Sequence, residues 1–313
     1  MFATEKKFLF VVGKGGVGKT TVSAALALNA ALSGKRVLVA QCNAKDRMGQ
    51  ALSVDPIDSQ VRTVLPNLDA VNMEPGAALE EYGMMVLRVR ALYKMIFENR
   101  LVAAFLRGTP GLEAWAMLGK AQFHAREEVD GEARYDLVIV DAPATGHGLD
   151  LLRVPKVLVE VAPPGLLRKE AEHAWELFSD PQRAGVVLVA LAEDMPTNET
   201  LELHAAIRDD LQLPIAGLVV NRVLESIFSD SDGEQLRHLQ NALAPDSALW
   251  PLVHNGLVRH NLEHLQQSCI ARLSANINAP LSLLPRLEES PLRRPQLQQL
   301  AQALSPLTGP QAP

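Results

Sequence analysis

Gly13-Lys14-Gly15-Gly16-Val17-Gly18-Lys19-Thr20-Thr21 satisfies the pattern G-x-x-x-x-G-K-S/T and adds a second lysine, Lys14. Just before it, Phe8-Leu9-Phe10-Val11-Val12 is a short all-apolar run, as expected of a central parallel strand buried on both faces. After it, Thr21 to Leu32 is rich in Ala and Leu and reads as a helix. Glycines between a strand and a helix let the backbone curl and aim successive N–H groups at an anion. The helix N-terminus adds its dipole at the same point. In such a loop Lys19 would reach the β- and γ-phosphates, and the Thr20 hydroxyl would hold Mg²⁺.

Outward from this loop, apolar runs and helical stretches alternate. Strands are expected at Val37 to Ala40, Leu68 to Met73, Leu137 to Asp141, Val186 to Leu191, Ile215 to Val220 and Leu281 to Leu284. Helices are expected at Glu199 to Leu211, Gly233 to Ala244, Leu257 to Ala275 and Gln296 to Leu304. This predicts an α/β fold, a mostly parallel sheet with helices on both faces. We expect one nucleotide-binding domain over 1–304, with a helical insertion at about 77–125 and a flexible Pro-rich tail at 305–313. No internal repeat is visible, so a fused tandem of two such units is not expected.

Composition narrows the function classes. The 313 residues are 48% hydrophobic but only 4% aromatic, so the core is mostly Leu, Val and Ala. A net charge of −6 argues against nucleic acid as a partner. Two single cysteines, Cys42 and Cys269, give neither a disulfide framework nor a clustered metal site. The first apolar run is too short for a signal peptide or a membrane span. A cytoplasmic protein with at most peripheral membrane contact is expected.

A second motif is Asp141-Ala142-Pro143-Ala144-Thr145-Gly146-His147-Gly148-Leu149. A strand ending in Asp, in a chain with a phosphate loop, suggests the acid that organises Mg²⁺. Its plainer alternative is a helix N-cap. The Pro and Gly that follow suit a segment that changes shape with nucleotide state. His147 is either part of such a switch or a polar loop residue.

The two-lysine loop together with this second motif resembles the ArsA-type ATPases, and more distantly the MinD and ParA proteins. In that family the second motif runs D-T-A-P-T-G-H-T, of which this chain is a close variant. Glu193-Asp194-Met195-Pro196-Thr197-Asn198-Glu199-Thr200, Gly217-Leu218-Val219-Val220-Asn221-Arg222-Val223 and Leu283-Leu284-Pro285 are also similar. The resemblance spans roughly Phe8 to Pro285. It implies a nucleotide-driven switch that binds ATP and Mg²⁺ and works as a homodimer or as a heterodimer with a paralogous ATPase. Gly13, Gly15, Gly16, Val17, Gly18, Lys19, Thr20 and Thr21 would hold the phosphates, and Asn221, with Arg222 and Pro285 beside it, the adenine. Thr20, with Asp141 through water, would organise the metal. Lys14 would cross the dimer interface to the partner's phosphates, as a finger neutralising charge in the transition state.

Two departures qualify this. Where the family has D-P-A-H-N, with the Asp activating the attacking water, this chain has Cys42-Asn43-Ala44-Lys45-Asp46-Arg47. Asn43 at the Asp position would lose general-base help, typically worth about 10²–10⁴-fold. Asp46 would substitute only after a loop shift. Slow hydrolysis, or a nucleotide-holding subunit paired with an active paralogue, follows. The effector-binding cysteine cluster and the zinc-bridging CxxC pair of family members are also missing, which disfavours an arsenite-pump subunit.

The stretch from Tyr82 to Phe123 holds Met84, Met85, Met95 and Met117, with Tyr93, Phe97, Phe105 and Trp115. Met-rich apolar helices make adaptable surfaces. The stretch is expected to be either a groove for a hydrophobic protein client, as the resemblance implies, or a layer packed on the domain's own core or a dimer contact.

Overall fold

The computed structural model describes residues 2–42, 46–87, 111–143, 147–162, 164–288 and 292–308. The strands in chain order are β1 (Phe8–Val12), β2 (Val37–Cys42), β3 (Arg62–Leu65), β4 (Leu68–Met73), the hairpin β5 (Glu128–Val129) and β6 (Glu132–Ala133), β7 (Leu137–Asp141), β8 (Ala184–Leu191), β9 (Ile215–Val223) and β10 (Leu281–Pro285). The helices are α1 (Lys19–Leu32), α2 (Met48–Leu52), α3 (Pro75–Leu87), α4 (Leu112–Arg126), α5 (His147–Val161), α6 (Leu166–Ser179), α7 (Asp194–Ala205), α8 (Asp230–Ala242), α9 (Trp250–Asn276), α10 (Arg294–Ala303) and α11 (Ser305–Thr308). A π-helical segment, Ala206–Leu211, continues α7.

Eight strands form one sheet in the order β10-β9-β8-β1-β7-β2-β4-β3. All its pairings are parallel except β3 with β4. The apolar runs at 8–12 and 137–141 are buried at every residue, because parallel strands covered on both faces have no solvent side. β3 has no such run. Its residues Arg62-Thr63-Val64-Leu65 are half-buried or exposed at the sheet edge, where nothing requires an apolar repeat.

Alternate residues of β1 serve two cores. Leu9 and Val11 pack with α1, Met48 and Leu52 of α2, and Leu297, Leu300 and Ala301 of α10. Phe8 and Phe10 face the other way and meet Phe178 of α6, with ring centroids 4.8 and 4.9 Å away. The short helix α11 belongs to the first core. Leu307 is fully buried, in the space left by the missing side chain of Gly217. Packed structure thus extends to Thr308, past the boundary expected at 304.

The fold places β1 at the centre of the sheet, with β7 on one side and β8 on the other. The C-terminal ends of β1, β7, β8, β9 and β10 therefore open on one edge, where parallel α/β sheets bind ligands.

Candidate functional site

Gly13 follows β1 and packs so closely on β8 that a Cβ there would sit 2.3 Å from the Val189 carbonyl oxygen. At the far end of the loop, Gly18 has φ 95°, a left-handed value. A Cβ on Gly18 would lie 2.2 Å from Asn221 Nδ2. The loop is thus pressed between two strands that only glycine tolerates. α1 then starts at Lys19, two residues earlier than the expected Thr21.

Lys19 is buried, and its ammonium donates to the Gly13 and Lys14 carbonyl oxygens, each at 3.1 Å. Burial lowers its pKa, and the neighbouring Asp141 charge opposes that shift. Thr20 Oγ1 donates to Asp141 Oδ2 at 2.6 Å, and Ser23 Oγ donates to Asp141 Oδ1 at 3.3 Å. Asp141 is 3% exposed, and burial pushes its carboxyl up to about 6, against the lowering effect of these hydroxyls and of Lys19. Ser23 was not among the expected site residues. It lies one helical turn after Thr20, and that i+3 spacing was the signal available. A hydroxyl beside a buried carboxylate is an oxygen donor set that fits Mg²⁺.

Lys14 Nζ pairs with Glu199 Oε1 of α7 at 2.9 Å, within the same chain. The two side chains flank a cleft of about 300 Å³ that also touches Gly148 and Leu149 of α5. Asn43 lies outside the described residues, as do Ala144, Thr145 and Gly146. Asp46 is described, and both its oxygens are taken by backbone. Oδ1 accepts from Gly49 N at 2.8 Å and Oδ2 from Ile57 N at 2.9 Å. This carboxylate ties the start of α2 to the loop before β3. Gly15, Gly16, Val17 and Thr21 lie in the loop and the first turn of α1, with Val17 buried in the core under α1.

A second space of about 430 Å³ opens beyond the loop, within the range of about 300–1,000 Å³ usual for small-molecule sites. Glu193 after β8, Asn221 and Arg222 on β9, and Arg286 after β10 supply its polar groups. Leu262 and Leu265 of α9 supply an apolar wall. Asn221 is buried between this space and the loop. Its Nδ2 donates to the Val17 carbonyl at 2.8 Å, and its Oδ1 accepts from Arg222 N at 2.9 Å. Arg222 sits at φ 58°, an unusual conformation for a non-glycine residue. Pro285 ends β10 beside Val223, and Arg286 N donates to the Val223 carbonyl at 2.8 Å.

The α9 wall is held by its own polar groups. Gln266 clasps the Leu224 backbone, accepting from its N–H at 2.7 Å and donating to its carbonyl at 3.0 Å. The buried Glu263 accepts from the N–H groups of Ile227 and Phe228. Gln266 and Arg286 were not expected from the sequence, and Glu193 stood there only as the start of a family-like stretch, with no role.

Residues 6–162, half of the chain, match the family described as the anion-transporting ATPases, the ArsA ATPases. The chain belongs to that family. ATPase BagA of Mycobacterium tuberculosis is 29% identical over 228 residues, which are 71% of this chain and 66% of that protein. An arsenical pump-driving ATPase of Escherichia coli is 29% identical over 246 residues, 72% of this chain and 41% of that protein. ATPase GET3 of Lachancea thermotolerans is 25% identical over 270 residues, 74% of this chain and 75% of that protein. The chain therefore spans just under two thirds of the mycobacterial relative and less than half of that pump-driving ATPase.

In this ArsA-type ATPase, α3 and α4 fall within the stretch expected to be a helical insertion, about 77–125. The Tyr82 and Trp115 rings are buried and meet edge to face at 5.9 Å, and Tyr82 fills the space over Gly119. Buried Lys120 of α4 pairs with Glu81 of α3. These side chains fasten α4 to α3. Residues 88–110, with Tyr93, Met95, Phe97 and Phe105, lie outside the described residues. Among the described residues, no helix is long and apolar enough to cross a membrane.

Proposed function

We propose that this chain is an ATP-binding switch of the ArsA type that holds Mg-ATP in one continuous cleft and hydrolyses it slowly. The observation that carries the reading is the contact chain Asp141–Thr20–loop–Asn221, which joins the phosphate loop to the 430 Å³ space. In this reading the loop amides and Lys19 bind the phosphates, with the Lys19 ammonium leaving the Gly13 and Lys14 carbonyls. Thr20 and Asp141 hold Mg²⁺, which supplies charge neutralisation for the phosphates. The base enters the space beside Asn221 and Arg222, with Arg286, the residue after Pro285, also lining it.

Slow turnover rests on two carboxylate positions. Asn43 cannot accept a proton from water as a carboxylate would. Asp46 is committed to two backbone N–H groups, and freeing it would leave both unpaired. The working unit is a dimer, with itself or with a paralogue, in which Lys14 leaves Glu199 and reaches the partner's phosphates. A half-exposed pair of this kind is worth about 1 kcal/mol at most, so the exchange is easily driven by phosphate charge. Tyr82 and Trp115 are spent on the chain's own core, which favours a packed layer over a client groove for this stretch.

The test measures phosphate release and oligomeric size with Mg-ATP, alone and with any paralogue. Asn43→Asp is expected to raise turnover by about 10²–10⁴-fold. Fast turnover of the unaltered protein, unchanged in Asn43→Asp, overturns slow hydrolysis. ATP-dependent dimerisation that survives Lys14→Ala unaltered removes the bridging role.

A further inference from the structure

Away from the cleft, α8 packs on α9, and three ligating side chains meet between them. Asp230 is the first residue of α8, and His260 and His264 stand four apart on α9. Four residues is about one helical turn, so both imidazoles project from the same face. One ligand atom of each residue lies within 4.8 Å of those of the other two. His264 Nε2 and Asp230 Oδ1 are 2.8 Å apart, and the two imidazole rings lie 4.7 Å apart at 55°.

The Asp230–His264 contact alone would be an ordinary surface pair. His260 is what it leaves unexplained. That ring is 2% exposed, and neither of its nitrogens meets a hydrogen-bond partner among the described residues. A neutral imidazole has one donor and one acceptor to satisfy, so burying both without partners is unfavourable. The seat is also shaped for the ring. Gly233, one turn into α8, is buried, and a Cβ there would sit 2.2 Å from His260 Nε2. No side chain fits at that position without driving the imidazole out.

We propose that Asp230, His260 and His264 bind one divalent transition-metal ion of the zinc class. Two imidazoles and a carboxylate form a donor set that suits Zn²⁺ and its neighbours better than Mg²⁺ or Ca²⁺, which prefer oxygen alone. Water completes the coordination. Tetrahedral bonds of about 2.0–2.1 Å place ligand atoms roughly 3.3 Å apart, so the widest pair closes by at most roughly 1.5 Å. The ion would take up one of the two unpaired His260 nitrogens and clamp α8 onto α9. Because α9 also carries Glu263 and Gln266, the clamp would stiffen the wall that holds the Leu224–Phe228 segment beside the nucleotide cavity.

The experiment titrates the full chain with Zn²⁺ alone, then with Co²⁺ alone, in nucleotide-free and Mg²⁺-free buffer. Bound metal is measured by equilibrium dialysis and the ligand field by visible absorption. One equivalent is expected, with Co²⁺ absorption of a nitrogen–oxygen site and a raised melting temperature. His264→Asn, at an exposed position, should weaken binding by about tenfold or more, and Gly233→Ala should do the same by displacing His260. No binding by the unaltered chain, or equal binding by the His260→Asn/His264→Asn double variant, overturns the proposal. So does a Co²⁺ spectrum with thiolate charge transfer, which would assign the ion to Cys42 or Cys269. None of these readings depends on whether the chain binds ATP.

Discussion

At the phosphate end of the proposed cleft, nine consecutive residues and one strand-terminal carboxylate would make the site. At the cavity end, the lining comes from after β8, from β9, from α9 and from after β10, spread over about a hundred residues. The first end is held by backbone curvature and close strand contacts. The second is held by side chains that clasp backbone, such as Gln266 on Leu224. A site built from local backbone tolerates little change. A site assembled from distant side chains fails one contact at a time.

The largest expected effect tests the tension at the phosphate end. Asp141 in the folded chain keeps its proton to about pH 6, whereas in the unfolded chain it loses it near pH 4. The folded state therefore binds more protons in that window, and stability falls as pH rises from about 4 to about 6. Asp141→Asn should stabilise the ligand-free protein at pH 7 by on the order of 3 kcal/mol, seen as a melting temperature several degrees higher. The gain should vanish below about pH 4, while Mg-dependent ATP binding weakens. A variant that melts lower at pH 7 would mean that the Thr20 and Ser23 bonds outweigh burial.

Next in size is Lys19→Ala. Losing hydrogen bonds to a charged ligand should weaken ATP binding by about 10- to 100-fold in titration calorimetry. Asn221→Ala, at the other end, should cost only about fivefold, one ordinary hydrogen bond. Equal losses at both positions would erase the distinction between a backbone-built and a side-chain-built end. The smallest effect belongs to Glu199→Gln. It removes a half-exposed pair and should shift ATP-driven dimer closure by less than about fivefold, in favour of closure.

The same contrast explains what the sequence made legible. The loop, Asp141 and the parallel sheet were readable because motif residues adjoin in the chain and buried strands are unbroken apolar runs. Ser23 was readable in principle from helical spacing. Glu193, Gln266 and Arg286 were not, because only folding brings positions 193, 266 and 286 to one cavity. Helix α5 carries Pro155 in its interior, a residue that ordinarily breaks a helix, so its sequence carries no unbroken helical signal. β3 lacked an apolar run because one edge of the sheet asks for none. His260 and His264 sit in a helix that the sequence did signal, but their partner Asp230 is thirty residues upstream, so spacing alone does not join the three.

Asn221 belongs to both ends at once. One amide carries the Val17 carbonyl of the phosphate loop on its nitrogen and the Arg222 backbone on its oxygen. The amide keeps a second N–H and a second lone pair, so a ligand that takes hold of it from the cavity would bind a group whose orientation the loop already sets. The halves of a bound nucleotide would then be linked ligands, each altering the other's affinity by the same factor. Adenosine alone and phosphate alone would then not add as independent fragments, and the size of the departure would measure the coupling that passes through Asn221.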